Sequence, residues 1–212
     1  MRVIAVGCEY SGVSTLLNEL MVWGDARGIH HHLDDHFTIP DKQFLSPEDA
    51  RAMMALTPTL KERFQRFQVV YHVRLLSKYQ HILLGGFHIE EAIYGPLYYY
   101  PGKTSPSVRT YEPEMPQDTI LVHLKAEREV IEARMASDPH EYPLVRKEHI
   151  TRVQEQFAEG FLASWIQNKM EIDTSSLTPS QLLQEFLERS LPFLNARDTL
   201  TRMMEAQRVS SR

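Results

Sequence analysis

The sequence is short of the features that would place it in several common classes. It has a single cysteine, Cys8, among 212 residues, which excludes an intrachain disulfide framework and suits a reducing compartment. No apolar run reaches the roughly 18 residues of a membrane-spanning helix. The opening "MRVIAVG" meets a glycine too early for a secretory signal, so a cytoplasmic setting is expected. Basic residues are not in excess: 23 Lys and Arg against 28 Asp and Glu give a net charge of -5. That balance argues against a nucleic-acid backbone or an anionic membrane as partner. There is no internal repeat and no low-complexity tract. What remains is ordinary for a globular chain, with 42% apolar and 24% charged residues and length enough for a substantial core.

Strands and helices alternate along that length. "RVIAV" (2–6) is a short apolar, β-branched run ending at Gly7. "IHHHLDDHF" (29–37), "HILLGG" (81–86), "TILVHL" (119–124) and the weaker "MEIDTS" (170–175) supply further strands. Between them, Leu16, Leu17, Leu20 and Met21 share one helical face, and Phe64, Phe67, Tyr71 and Leu75 mark another helix over 59–79. Ser46-Pro47, Thr57-Pro58 and Thr178-Pro179 each set a hydroxyl cap before a first-turn proline, the last with a capping-box glutamine, Gln181. The alternation predicts a three-layer α/β/α domain around a five-stranded parallel sheet. It would span 1–194, with a lid segment near 134–150. Tyr94 to Pro116, rich in Tyr, Pro and Gly, is expected to form an inserted loop, and 195–212 to be a polar tail, either frayed or docked.

The first strand runs into "GCEYSGVST" (7–15), a phosphate-loop pattern G-x-x-x-x-G-K-[ST] with valine in the lysine position. Gly7 and Gly12 permit the tight turn, so the amides of Cys8, Glu9, Tyr10, Ser11, Val13 and Thr15 can converge on an anion. The following helix adds its positive dipole end, and Ser14 occupies the hydroxyl position that ligates Mg²⁺. Val13 removes the cation that reaches the outer phosphates. One preorganised electrostatic contact is worth about 3–4 kcal/mol in transfer, so binding is expected to survive, while turnover needs a cation from elsewhere.

Other residues invite chemistry. Glu90 and Glu91 follow the third strand closely, where parallel-sheet sites lie; they are either metal-orienting or proton-accepting carboxylates, or a first-turn complement to a helix dipole. His30, His32, Asp34 and His36 alternate, but alternate strand residues are about 7 Å apart, which favours a hydrogen-bonding cluster over a tight metal site. The aromatic stretch 93–102 could stack a base or simply pack.

"GCEYSGVSTLLNEL" resembles the opening of P-loop nucleoside and nucleotide kinases. "LDDHFTIP" (33–40) is similar to their acidic second-strand end, "VHLKAEREVIEARM" (122–135) to the strand and helix leading into their lid, and "EIDTSSLTPSQLLQEFL" (171–187) to their last strand and C-terminal helix. These segments fall in the family's order over most of 1–190. The resemblance implies an ATP- and Mg²⁺-dependent phosphotransferase acting on a small-molecule phosphoryl acceptor. Asp35 would position the acceptor hydroxyl, and Arg134 is the best match to the lid arginines that close over the transferred phosphate. Asp34, His36, Tyr94, Arg146 and Lys147 would border the substrate, and Arg63, with Arg66 and Arg74, could hold an acceptor phosphate. Two departures stand out: Val13, and Gly85-Gly86 where relatives carry an acid and an arginine. Either catalysis has been lost or those charges come from other positions. The sequence leaves a homodimer open.

Overall fold

The computed structural model describes residues 1–34, 39–40 and 45–210, with 205–210 as backbone only. Five parallel strands lie in the order β2-β3-β1-β4-β5: β1 (Arg2–Val6), β2 (His32–Asp34), β3 (Ile82–Gly85), β4 (Thr119–Lys125) and β5 (Asn168–Asp173). Strand β1 lies at the centre, bonded to β3 on one side and β4 on the other. Its alternation decides the layers. Val3 and Ala5 join the core beneath α1 (Val13–Asp25) and α7 (Pro179–Arg189), while Ile4 and Val6 join the core under α3 (Pro58–Lys78), α4 (Phe87–Tyr94) and α6 (Ile150–Ala163). Val3, Ile4 and Val6 each contribute about 1.5–3 kcal/mol, and burial on both faces explains why these strands read as unbroken apolar runs.

The caps form as the sequence implies. Ser46 Oγ accepts from Asp49 N at the start of α2 (Pro47–Met54), and Thr57 Oγ1 accepts from Leu60 N at the start of α3. Thr178 and Gln181 complete a reciprocal capping box on α7. The aromatic spacing on α3 misleads, however. Phe67 and Tyr71 are 67% and 47% exposed, their rings stacked on each other, whereas Phe64 packs against the core and Leu75 is buried with Gln65, Val69, His72, Val73 and Leu76. An aromatic stripe at helical spacing fixes the helix but not which side packs.

Past α4 the chain continues as a π-helical turn (Gly95–Tyr99), with Tyr94, Tyr99 and Tyr100 buried in the core. Packing is therefore one use made of this aromatic stretch. The tail forms α8 (Ala196–Ser210) and docks by its first half. Asp198 meets the Met1 ammonium at 3.1 Å, Asn195 donates to Asp118, and the Arg202 guanidinium lies over Trp23. Among the described residues no helix is long and apolar enough to cross a membrane.

Candidate active site

The carboxyl ends of the strands open into a cleft of about 920 Å³, within the size range of small-molecule sites. Its floor is the loop between β1 and α1. Gly12 caps α1 with φ 101°, a conformation open to glycine, and Leu16 N to Gly12 O is the first intrahelical bond. The amides of Val13 and Thr15 precede that bond, so they have no acceptor within the helix, and both residues line the cleft. Gly7 is held closer still: a Cβ there would collide with the Leu124 carbonyl and Ser11 Oγ.

Tyr10 also has a left-handed backbone, φ 66°, which costs a non-glycine residue about 1–3 kcal/mol. Three side chains hold it. Arg134, from α5 (Arg128–Ser137), donates Nη1 to Tyr10 O at 2.8 Å and to Thr174 Oγ1 at 3.0 Å, and Nη2 to Thr174 O at 2.7 Å. Thr174 in turn donates its hydroxyl to Ser11 O at 2.8 Å. On the other side the Tyr10 ring stacks on His140 at 4.1 Å, and its hydroxyl accepts from His140 N.

Glu9 ties the loop to the connection after α5. One carboxylate oxygen accepts from Leu144 N and Val145 N at 2.9 and 2.7 Å, and the other lies 3.1 Å from His140 Nδ1. Main-chain amides thus grip an anion that the loop itself supplies. Glu9 N donates to the buried Tyr94 hydroxyl at 3.0 Å, so Tyr94 braces the loop and also lines the cleft. Burial beside Glu9 pushes the Cys8 thiol up to about 12, which makes it inert as a nucleophile at neutral pH.

Across the cleft, the end of β3 shows what Gly85-Gly86 allows. Gly86 has φ 74°, and a Cβ on it would collide with the Glu90 carboxylate. The carboxylate therefore folds back from the first turn of α4 onto the strand end, and Glu90 lines the cleft. An acid is present at this strand end, but it arrives from one helical turn further along. Glu91 points elsewhere. Its carboxylate is bonded by the Tyr100 hydroxyl, its carbonyl accepts from Ser105, and burial pushes its pKa up to about 8.

The remaining candidates are dispersed. Asp34 is approached by His32 at 2.7 Å and His72 at 3.2 Å, and is not among the lining residues. His30 pairs with Asp25 outside β2. Among the described residues there is no group of His, Cys, Asp and Glu able to hold a metal by itself. Asp35 and His36 lie outside the described residues. Arg63 is exposed on α3, and Arg146 and Lys147 are exposed between α5 and α6; none of these lines the cleft. Sequence reading missed Thr174, His140 and the 144–145 amides. Thr174 was visible at the end of the last strand, whereas main-chain amides carry no sequence signal.

A parallel sheet in this order with a glycine loop leading into α1 is the fold of P-loop nucleoside and nucleotide kinases. No family model matches the chain, and no curated protein matches it. Solved structures do. One is deoxyadenosine kinase from M. mycoides with bound dATP, 12% identical, with a TM-score of 0.63 over 89% of this chain and 98% of that one. Another is the YorR protein of Bacillus subtilis in complex with phosphorylated GDP, 15% identical, TM-score 0.57, covering 91% and 99%. Thymidylate kinase from Candida albicans is 14% identical, TM-score 0.52, covering 89% and 90%. At such identities the likeness is one of fold.

Proposed function

We propose that this protein is an ATP-dependent phosphotransferase acting on a nucleoside, nucleotide or similar small hydroxylated acceptor, with an atypical phosphate loop. The observation that carries the reading is the head of α1, where the Val13 and Thr15 amides have no acceptor within the helix, lining one cleft with the buried Glu90. The donor triphosphate would lie on the amides of Val13 and Thr15 and the dipole of α1, since the Glu9 and Ser11 amides are engaged by Tyr94 and Cys8. The acceptor hydroxyl would attack in line: its oxygen forms the new bond to the γ-phosphorus as the β–γ bridging bond breaks. Its proton would pass to a carboxylate, for which Glu90 and Asp35 are the candidates. Arg134 would act here by shaping the loop, since Nη1 and Nη2 donate to main-chain carbonyls, and Arg146 and Lys147 are the lid cations left to offset charge.

The donor set suits Mg²⁺, which takes one or two protein oxygens and fills the rest with phosphates and water. Ser14 and Glu90 both line the cleft and supply such oxygens. Bound there with the donor, the ion would neutralise phosphate charge. The test is ADP release from MgATP across a nucleoside and nucleotide panel. Release no greater than from a Ser14→Ala, Glu90→Gln double variant removes this reading.

A second reading, a catalytically silent nucleotide-binding module, is favoured by Val13 together with the carbonyl-bound Arg134. Val13→Lys discriminates. Gained turnover points to a decayed site, and lost turnover to a rearranged working one.

A further inference from the structure

We propose that the cleft wall holds a second oxyanion site, formed by the main-chain amides of Leu144 and Val145 with His140. Glu9 fills it as an internal ligand, and a terminal phosphate group takes the place of Glu9. The site concerns binding alone and stands whether or not the protein transfers a phosphoryl group. One Glu9 carboxylate oxygen accepts from Leu144 N and Val145 N at 2.9 and 2.7 Å. The other lies 3.1 Å from His140 Nδ1. Successive amides converging on one oxygen make a concavity suited to anions in general, and hydrogen bonds to an ionised acceptor are about twice as strong as neutral ones. Such donors read negative charge and acceptor geometry, both of which a phosphate supplies as well as a carboxylate.

The donors are held in place by contacts that do not involve the Glu9 carboxylate. Val145 is buried in the core, and Leu144 packs against the same cluster. His140 is fixed by Tyr10, through the ring stack at 4.1 Å and the bond from His140 N to the Tyr10 hydroxyl at 2.8 Å. Departure of the carboxylate would leave two part-buried amides without an acceptor, a costly state that favours capture of another anion. Glu9, Tyr10, His140 and Leu144 all line the cleft, so a phosphate in the cleft can reach them. The Glu9 main chain is anchored separately, its N–H donating to the Tyr94 hydroxyl at 3.0 Å, so the side chain can swing out while the loop stays. A terminal phosphate brings about 1.5–2 negative charges and three acceptor oxygens, more than a single carboxylate offers. The acids Glu9 and Asp138 on this wall oppose the exchange in the parent, which is why removing Glu9 should unmask the site.

The test is an NMR titration of the isotope-labelled full chain with inorganic phosphate, following the Leu144 and Val145 amide resonances in the parent, Glu9→Ala and Glu9→Gln. An internal ligand competes at a high effective concentration, so its removal in Glu9→Ala should tighten phosphate at these two amides by about tenfold or more. Glu9→Gln removes the same charge but keeps an acceptor oxygen within reach of both amides, and should tighten phosphate far less. Equal tightening in the two variants would show an effect of net charge alone and overturn the proposal. Unmoved Leu144 and Val145 resonances in Glu9→Ala would overturn it as well. If Glu9→Ala does not fold, tripolyphosphate on the parent decides: saturable shifts at both amides support the exchange, and their absence overturns it. Val13 and Thr15 report separately on the head of α1. Shifts there without shifts at 144 and 145 remove this site and leave the kinase reading standing, whereas shifts at 144 and 145 alone remove donor binding on the loop and leave this site.

Discussion

Gly7 and Gly86 end the neighbouring strands β1 and β3, and the absence of a side chain serves a different purpose at each. At Gly7 the space is taken by main chain, the Leu124 carbonyl, and by Ser11 Oγ, so the turn can close tightly against β4. At Gly86 the space is taken by the carboxylate of Glu90. One glycine lets backbone approach backbone; the other lets a side chain return from the next helical turn. One side of the cleft is thus built from peptide groups, and the other from an acid that returns from α4.

Adding one methyl to each glycine tests the comparison. Gly7→Ala should have the largest effect, because backbone must move. Overpacking of this kind costs about 3 kcal/mol, or a fall in Tm of about 6–12 °C, and nucleotide-induced stabilisation should vanish in the same thermal scans. Gly86→Ala, which also strains a backbone held at φ 74°, should keep nucleotide binding while displacing Glu90, with turnover falling about 10²-fold, as for loss of a positioned acid–base group. Equal losses of binding in the two variants would erase the distinction.

Arg134→Ala should come next. It releases Tyr10 and Thr174, removing charge-assisted bonds worth about 1.5–3 kcal/mol, and should weaken nucleotide binding by about tenfold. Arg134→Lys should rescue little, because a single ammonium cannot reproduce the fork that reaches both carbonyls. Full rescue would show that charge alone is what matters there.

The adjacent pair Glu90 and Glu91 gives the mildest test in terms of turnover. Burial holds the Glu91 pKa at about 8, against an ordinary 4.5. The folded state therefore keeps a proton that the unfolded state releases, so this group's contribution is intact below about pH 4.5 and is lost as pH rises toward 8. Glu91→Gln should be more stable than the parent at pH 8, should flatten the stability profile across that window in urea titrations, and should leave nucleotide binding unchanged. Identical pH profiles for variant and parent would show that Glu91 is ionised in the fold.

Much of the architecture was legible in advance. Apolar β-branched runs gave the strands, hydroxyl-proline pairs gave the starts of α2, α3 and α7, and Gly7, Gly12 and Ser14 gave the loop. These signals act within a few residues of chain, where propensity and capping dominate. The packed side of α3 was not legible, because stacked Phe67 and Tyr71 satisfy helical spacing from the exposed face. Nor was the fate of the candidate acids and cations. Asp34 is drawn to His32 and His72, Glu91 to Tyr100, and Arg134 to carbonyls distant in sequence.

By itself the sequence determined an alternating α/β chain with a glycine loop at the head of its first helix, since backbone geometry and apolar periodicity are local properties. The tertiary structure decided which charges reach the cleft, that Glu9 clasps the connection after α5, and that Glu90 folds back onto the end of β3. Those outcomes depend on segments far apart in the chain meeting in space, where burial leaves each polar group only the partners that packing brings to it.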